Sequence, residues 1–145
     1  MLTAATPCLA RRESWEMEPQ RCPFCHLENS RIVLQNDAAV ALLDAFPVAE
    51  GHMLVVPRRH VASLFDVPDE EQAAIWRLVA EVRQKLAAEL NPDGFTIGVN
   101  DGPAAGQTVL HAHVHVIPRR AGDVTDPRGG VRWVLPAKAP YWAEG

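Results

Sequence analysis

His111-Ala112-His113-Val114-His115-Val116-Ile117 places imidazoles and apolar side chains at alternate positions. A period of two is the period of a strand. The run therefore predicts an extended segment over residues 110–117, with all three rings on one face. The chain has six histidines in 145 residues, and half of them stand here. Packing gives no reason to repeat a polar ring three times. A metal ion, a phosphate or a proton to be moved does, because a neutral imidazole is a base, a nucleophile and a metal ligand near neutral pH.

Working outward, Phe95–Asn100 predicts a strand just upstream. The short Gly/Pro loop Asp101–Gly106 joins it to the histidine run, so the two pair antiparallel. Arg31–Gln35, Ala39–Asp44 and His52–Pro57 read as three more strands, the last closed by Pro57. Between them and Phe95, Ile75, Leu78, Val79, Val82, Leu86 and Leu90 recur at helical spacing. They predict a helix over Pro68–Leu90, with Asp66 as N-cap and Asn91-Pro92 as the stop. Trp76 lies off that stripe. The expected fold class is α+β: an antiparallel sheet of about five strands with one long helix packed on it, the other sheet face left for a partner or ligand. Residues 1–20, including Trp15 and Cys8, read as an N-terminal arm. Residues 21–123 form the domain and 124–145 a Gly/Pro-rich C-terminal tail.

The net charge is -4 and the sequence pI about 5.8. This balance disfavours a nucleic-acid partner, which would call for a basic surface. No apolar run reaches the ~20 residues needed to span a bilayer, and residues 1–20 lack the apolar stretch of a secretory signal. The expectation is a cytoplasmic protein with no nucleic-acid or membrane partner. In that compartment Cys22-Pro23-Phe24-Cys25 reads as metal or redox chemistry rather than a structural disulfide. No βαβ pattern surrounds it, which disfavours a redox motif. A closed zinc site needs two further ligands. His26 is adjacent to Cys25, a poor position for chelating the same ion.

Gly106-Gln107-Thr108-Val109, directly before the histidines, offers backbone N–H groups, an amide and a hydroxyl to a phosphate. The whole stretch from Gly106 to Ile117 resembles the signature of the histidine-triad (HIT) family. Residues 100–123 are especially similar to its dinucleoside polyphosphate hydrolase branch, and the resemblance covers about residues 20–123. It implies a HIT-like fold and a nucleotide hydrolase acting at the α-phosphate of dinucleoside polyphosphates or nucleoside phosphoramidates. His113 would be the catalytic nucleophile forming a nucleotidyl-histidine. His115 would bind phosphate oxygens near the leaving group. Gly106, Gln107, Thr108 and Val109 would cradle the α-phosphate of a purine mononucleotide or dinucleotide. Asn100 would contact the nucleotide, and Asp44 would accept the ribose hydroxyls, although on its own residues Asp44 reads as a turn. His52 would support the site from behind, a role compatible with a purely structural histidine.

The same resemblance implies that Cys22 and Cys25 share a structural Zn2+ with His60 and His111, and that the chain forms a homodimer through the helix and the fourth strand. Arg132 and Trp133 suit phosphate and base contacts; a tail anchored by its own aromatics is the simpler reading. Three other functions compete. A transferase would resolve the same intermediate with phosphate, against which His115 argues, since such transferases carry Gln there. The three histidines could instead hold one catalytic metal. A non-catalytic nucleotide-binding module is the last.

Overall fold

The computed structural model describes residues 18–143. The reading of residues 1–20, with Cys8 and Trp15, as an N-terminal arm concerns residues outside that span, apart from 18–20. Five strands form one antiparallel sheet: β1 (Ile32–Gln35), β2 (Ala39–Leu43), β3 (Met53–Pro57), β4 (Gly94–Val99) and β5 (Val114–Arg119). Their order is β1-β2-β3-β5-β4. A single long helix, α1 (Asp69–Leu90), crosses one face. Among the described residues no helix is long and apolar enough to cross a membrane.

The period of two decides which side chains meet the helix. Ala39 and Ala41 of β2, Met53 and Val55 of β3, and Val114 and Val116 of β5 pack with Ile75, Leu78, Val79, Val82 and Leu86 of α1. The alternate residues Val40, Leu42, Leu54 and Val56 face the other way. Phe24, Leu27 and Ile32 cover them. That second face, expected to be open, is therefore partly closed by the segment that carries the two cysteines.

Two local expectations need correction. Asp66 does not cap α1. It ends a 3-10 turn, Leu64–Asp66, whose own cap is Ser63 Oγ accepting the Phe65 N–H at 3.2 Å. The helix starts one residue after Pro68, which stands at the N-cap with ψ 149° and whose carbonyl accepts the Gln72 N–H at 3.0 Å. Asp69, Glu70 and Glu71 then face the positive helix end. At the other end Asn91 turns left-handed (φ 46°), and its N–H bonds Ala87 O. The Arg120 guanidinium adds bonds to Leu90 O (2.7 Å) and Asn91 O (3.3 Å). They satisfy carbonyls that the end of the helix leaves open.

The second correction concerns the histidine run. Ladder pairing of β5 begins at Val114, opposite Val55 and Val99, not at residue 110. Ala112 N–H goes to Val61 O at 2.7 Å, outside the sheet. Ala112 is nevertheless buried with the helix-side core while His113 and His115 lie on the opposite side. The alternation thus outlasts the ladder.

Gly51 makes the turn into β3 possible. Its φ is +81°, and a Cβ there would run into the Leu90 side chain and stand 3.1 Å from Leu86 Cδ2. Gly51→Ala is expected to cost about 2–4 kcal/mol, combining left-handed strain with overpacking against the last turn of α1. Urea denaturation measures this; a midpoint unchanged from the parent protein would refute the close packing of this turn on the helix.

Candidate functional site

The three histidines of the run do not converge on one point; each ring has its own partners. His111 is fully buried. Its Nδ1 lies 3.3 Å from Cys22 Sγ and 3.6 Å from Cys25 Sγ, and Cys25 Sγ lies 3.1 Å from His60 Nδ1. Donor atoms of Cys22, Cys25, His60 and His111 all fall within 4.8 Å of one another. A tetrahedral ion with Zn–S of ~2.3 Å and Zn–N of ~2.0 Å would set its ligands roughly 3.5 Å apart. The tetrad fits that spacing.

Its chemistry fits as well. His111 Nε2–H donates to Pro57 O at 2.7 Å. The Nδ1 lone pair is left directed at the thiols, the usual arrangement behind a metal-bound histidine. Burial keeps His111 below its ordinary pKa against the opposing Pro57 bond, and the charges of His60 and His113 add to the lowering. Burial and then the neighbouring Cys22 push the Cys25 thiol up to about 11. A thiol that resists ionising beside a second sulfur and two imidazoles is part of a donor set suited to a cation. His26 stands apart, bonded to Pro19 O at 3.1 Å.

The other two rings look away from this cluster. His113 Nδ1–H donates to its own run, to His111 O, at 2.8 Å. Its Nε2 therefore keeps a lone pair. Beside it, 5.1 Å between ring centres, stands His115. There the proton placement is reversed by a chain of contacts. Val48 N–H reaches His52 Nδ1 at 3.2 Å. The His52 proton therefore sits on Nε2. That Nε2–H points at His115 Nδ1, 2.9 Å away. His115 accepts there and carries its own proton on Nε2. Burial is the main cause that lowers both pKa values, with Asp44 opposing it at each; the charges of His113 and His52 lower His115 further. His115, His52 and Asp44 also sit close enough to suggest a second metal group. The Val48 N–H argues against that, because a metal on His52 Nε2 would force a proton onto Nδ1, against another donor.

Asp44 follows β2. Its Oδ1 accepts the Phe46 N–H at 2.8 Å, and its Oδ2 lies 3.4 Å from His52 Nε2. It is thus both the turn residue its sequence suggests and a neighbour of the histidine chain. Asn100 follows Val99, the partner of Val114, and so lies level with His113. In the Gly106–Val109 run two of the four backbone donors are engaged within the loop. Gly106 N–H bonds Pro103 O and Gln107 N–H bonds Gly102 O. The buried Gln107 amide accepts from Gly102 N–H and donates to Ala62 O and Val109 O. Gln107 therefore braces the loop, while Thr108 is exposed.

In the tail, Arg132 donates to Ala139 O and Lys138 O and lies over Tyr141, and Trp133 Nε1–H bonds Arg128 O. These two residues anchor the tail to itself, the simpler of the two readings. Phe24 and Val48 carry no sequence signal for the parts they take here. The spacing of the cysteines shows that a knuckle forms, but not which ring its interior residue touches.

A HIT domain matches residues 27–122 of the chain. The protein belongs to the HIT family. A 16.1 kDa HIT-like protein of Mycoplasma pneumoniae is 40% identical over 107 residues, covering 71% of this chain and 74% of that protein. The bis(5'-adenosyl)-triphosphatase of Dictyostelium discoideum is 36% identical over 97 residues, 67% of this chain and 65% of the enzyme. Among solved structures, a Zn-bound histidine triad family protein from Mycobacterium smegmatis aligns with a TM-score of 0.65 at 31% identity. That alignment covers 83% of this HIT chain and 94% of the other. The HIT fold, a five-stranded antiparallel sheet with one long helix, is thus the fold of this protein.

Proposed function

We propose that this HIT protein is a nucleotide hydrolase, cleaving at the α-phosphate of dinucleoside polyphosphates or nucleoside phosphoramidates. The observation that carries this reading is the pair of opposite tautomers at His113 and His115. One ring offers a lone pair and its neighbour a proton, side by side. In the first step the His113 Nε2 lone pair attacks the α-phosphorus. The P–O or P–N bond to the leaving group breaks while His115 Nε2–H hydrogen-bonds the departing atom; a polyphosphate leaves as its anion, and an amine takes its proton from water. In the second step water attacks the nucleotidyl-imidazole, the phosphorus–Nε2 bond to His113 breaks, the water proton passes to solvent, and a nucleoside monophosphate leaves. Thr108 and Val109 meet the phosphate oxygens, with Gly106 and Gln107 shaping the loop. Asp44 accepts the ribose hydroxyls, and Asn100 contacts the nucleotide opposite His113. His52 fixes the His115 tautomer.

In this reading Cys22, Cys25, His60 and His111 hold a zinc ion, which supplies structural cross-linking rather than chemistry. Free thiols and nucleotide substrates suit the cytoplasm. β4, at the sheet edge, and the exposed Trp76 of α1 suit pairing with a second copy of the chain.

The test is hydrolysis of diadenosine triphosphate, diadenosine tetraphosphate and adenosine phosphoramidate, followed from pH 5 to 8. AMP release is expected. Because His52 and His115 are both held below the ordinary histidine range, their protonation is expected to lower the rate only below pH ~6.5. Unfolded histidines titrate near pH ~6.5, so below that pH the unfolded chain binds more protons and acid also weakens the fold. No AMP from any substrate would sink the proposal, and a rate midpoint above the ordinary histidine value would sink the proton placement. Nucleoside diphosphate formed from adenosine phosphoramidate on adding inorganic phosphate would favour a transferase instead.

A further inference from the structure

The knuckle Cys22-Pro23-Phe24-Cys25 contributes more than two thiols. Phe24, between them, turns its ring onto two members of the histidine run. It meets His111 at 5.7 Å between centroids and 89°, and His113 at 5.3 Å and 64°. His113 thus has an aromatic ring on each of two contacts, Phe24 and His115, the latter at 5.1 Å and 70°. Its Nδ1 is held by the carbonyl of His111, a residue whose ring belongs to the cysteine cluster. Phe24 also packs on the apolar patch of Val40, Leu42, Leu54 and Val56, so its own position is fixed from below.

We propose that Phe24 is a positioning residue for His113: the metal knuckle sets the orientation of the reacting imidazole through the Phe24 ring and the His111 carbonyl. The inference rests on His113 being the nucleophile. An imidazole attacks productively only when its Nε2 lone pair lies in line with the bond that breaks, so a ring free to rock loses rate without losing affinity. Edge-on aromatic contacts restrict that rocking in a way an aliphatic side chain of similar volume does not. The knuckle then has two separable effects, one on the stability of the fold and one on the first chemical step.

The experiment compares Phe24→Leu and Phe24→Tyr with the parent protein in its zinc-loaded form. Zinc content is measured by elemental mass spectrometry, first-turnover rate and KM with adenosine phosphoramidate, and the His113 tautomer by 15N-histidine NMR without substrate. Phe24→Leu is expected to keep one zinc and an unchanged KM, to slow the first turnover three- to tenfold, and to broaden or average the His113 ring signals. Phe24→Tyr, which keeps the ring, should stay within twofold of the parent rate. A Leu variant with parental rate and ring signals would overturn the proposal. So would a raised KM at unchanged rate, which would make Phe24 a substrate contact, or loss of zinc, which would make it part of the metal site. If the parent protein hydrolyses nothing, the proposed function fails, while the NMR comparison still decides whether Phe24 orders the ring.

Discussion

His113→Asn lowers the first-turnover rate by roughly 10^3-fold or more, the scale expected when a covalent nucleophile is removed. Asparagine is a close mimic for everything but the attack. Its amide N–H can still donate to His111 O, the bond His113 Nδ1 makes at 2.8 Å. It fits a position only 9% exposed without creating a large cavity. What it lacks is the Nε2 lone pair. The thermal midpoint should therefore stay within a few degrees of the parent value and AMP should still bind. An alkaline quench, which preserves phosphorus–imidazole bonds, should show no labelled protein, whereas the parent protein is labelled during turnover. A variant retaining more than a tenth of the parental rate would remove His113 from the nucleophile's role and point to activated water.

On the proposed zinc reading, chelation or Cys25→Ser is expected to lower the melting midpoint by roughly 10 °C or more, about 3 kcal/mol at this chain length. The loss has a definite structural route. The segment that carries Cys22, Phe24 and Leu27 lies on Val40, Leu42, Leu54 and Val56. Without a cation, the two thiols and two imidazoles meet one another only through sulfur–imidazole contacts of 3.1–3.6 Å, and the cover over that patch loosens. Because Cys25 is pushed up to about 11, a bound cation must displace a proton, so occupancy should fall as pH drops. Calorimetry with parallel zinc analysis checks this. Identical melting of loaded and stripped protein would show that the tetrad contributes nothing to the fold.

Most of the architecture can be read from local spacing. The stripe Ile75, Leu78, Val79, Val82 and Leu86 is the buried face of α1. The alternation of Ala112, Val114 and Val116 with histidines is visible without any partner. Alternation does not say where a ladder begins, and Val61 takes the Ala112 N–H before the sheet can. Asp66 has the right residue type for a cap, but a second turn capped by Ser63 claims it.

The site itself was legible where a motif carries it and opaque where the decisive partner is distant in sequence. His111 Nδ1 meets Cys22 across 89 residues, and a family resemblance was needed to pair them. His52 meets His115 across 63 residues, and no local pattern predicts which nitrogen keeps the proton. Gln107 looks like a phosphate donor from its place in the run. Its hydrogen bond to Ala62 O, 45 residues upstream, gives it a bracing part that the run does not announce.

The spread of the metal tetrad has a consequence for the newborn chain. Cys22 leaves the ribosome 89 residues ahead of His111. At ~5–20 residues per second, that is an interval of roughly 4–18 s. Throughout it the knuckle holds two bare thiols, and no complete set of ligands exists to shield them. On the proposed zinc reading, most of the chain must be made before an ion could be fully enclosed, whereas the ligands of a zinc finger emerge almost together. Early disulfide closure between Cys22 and Cys25 is therefore a hazard of translation rather than of the finished fold, and a reducing environment matters most while the chain is still being made.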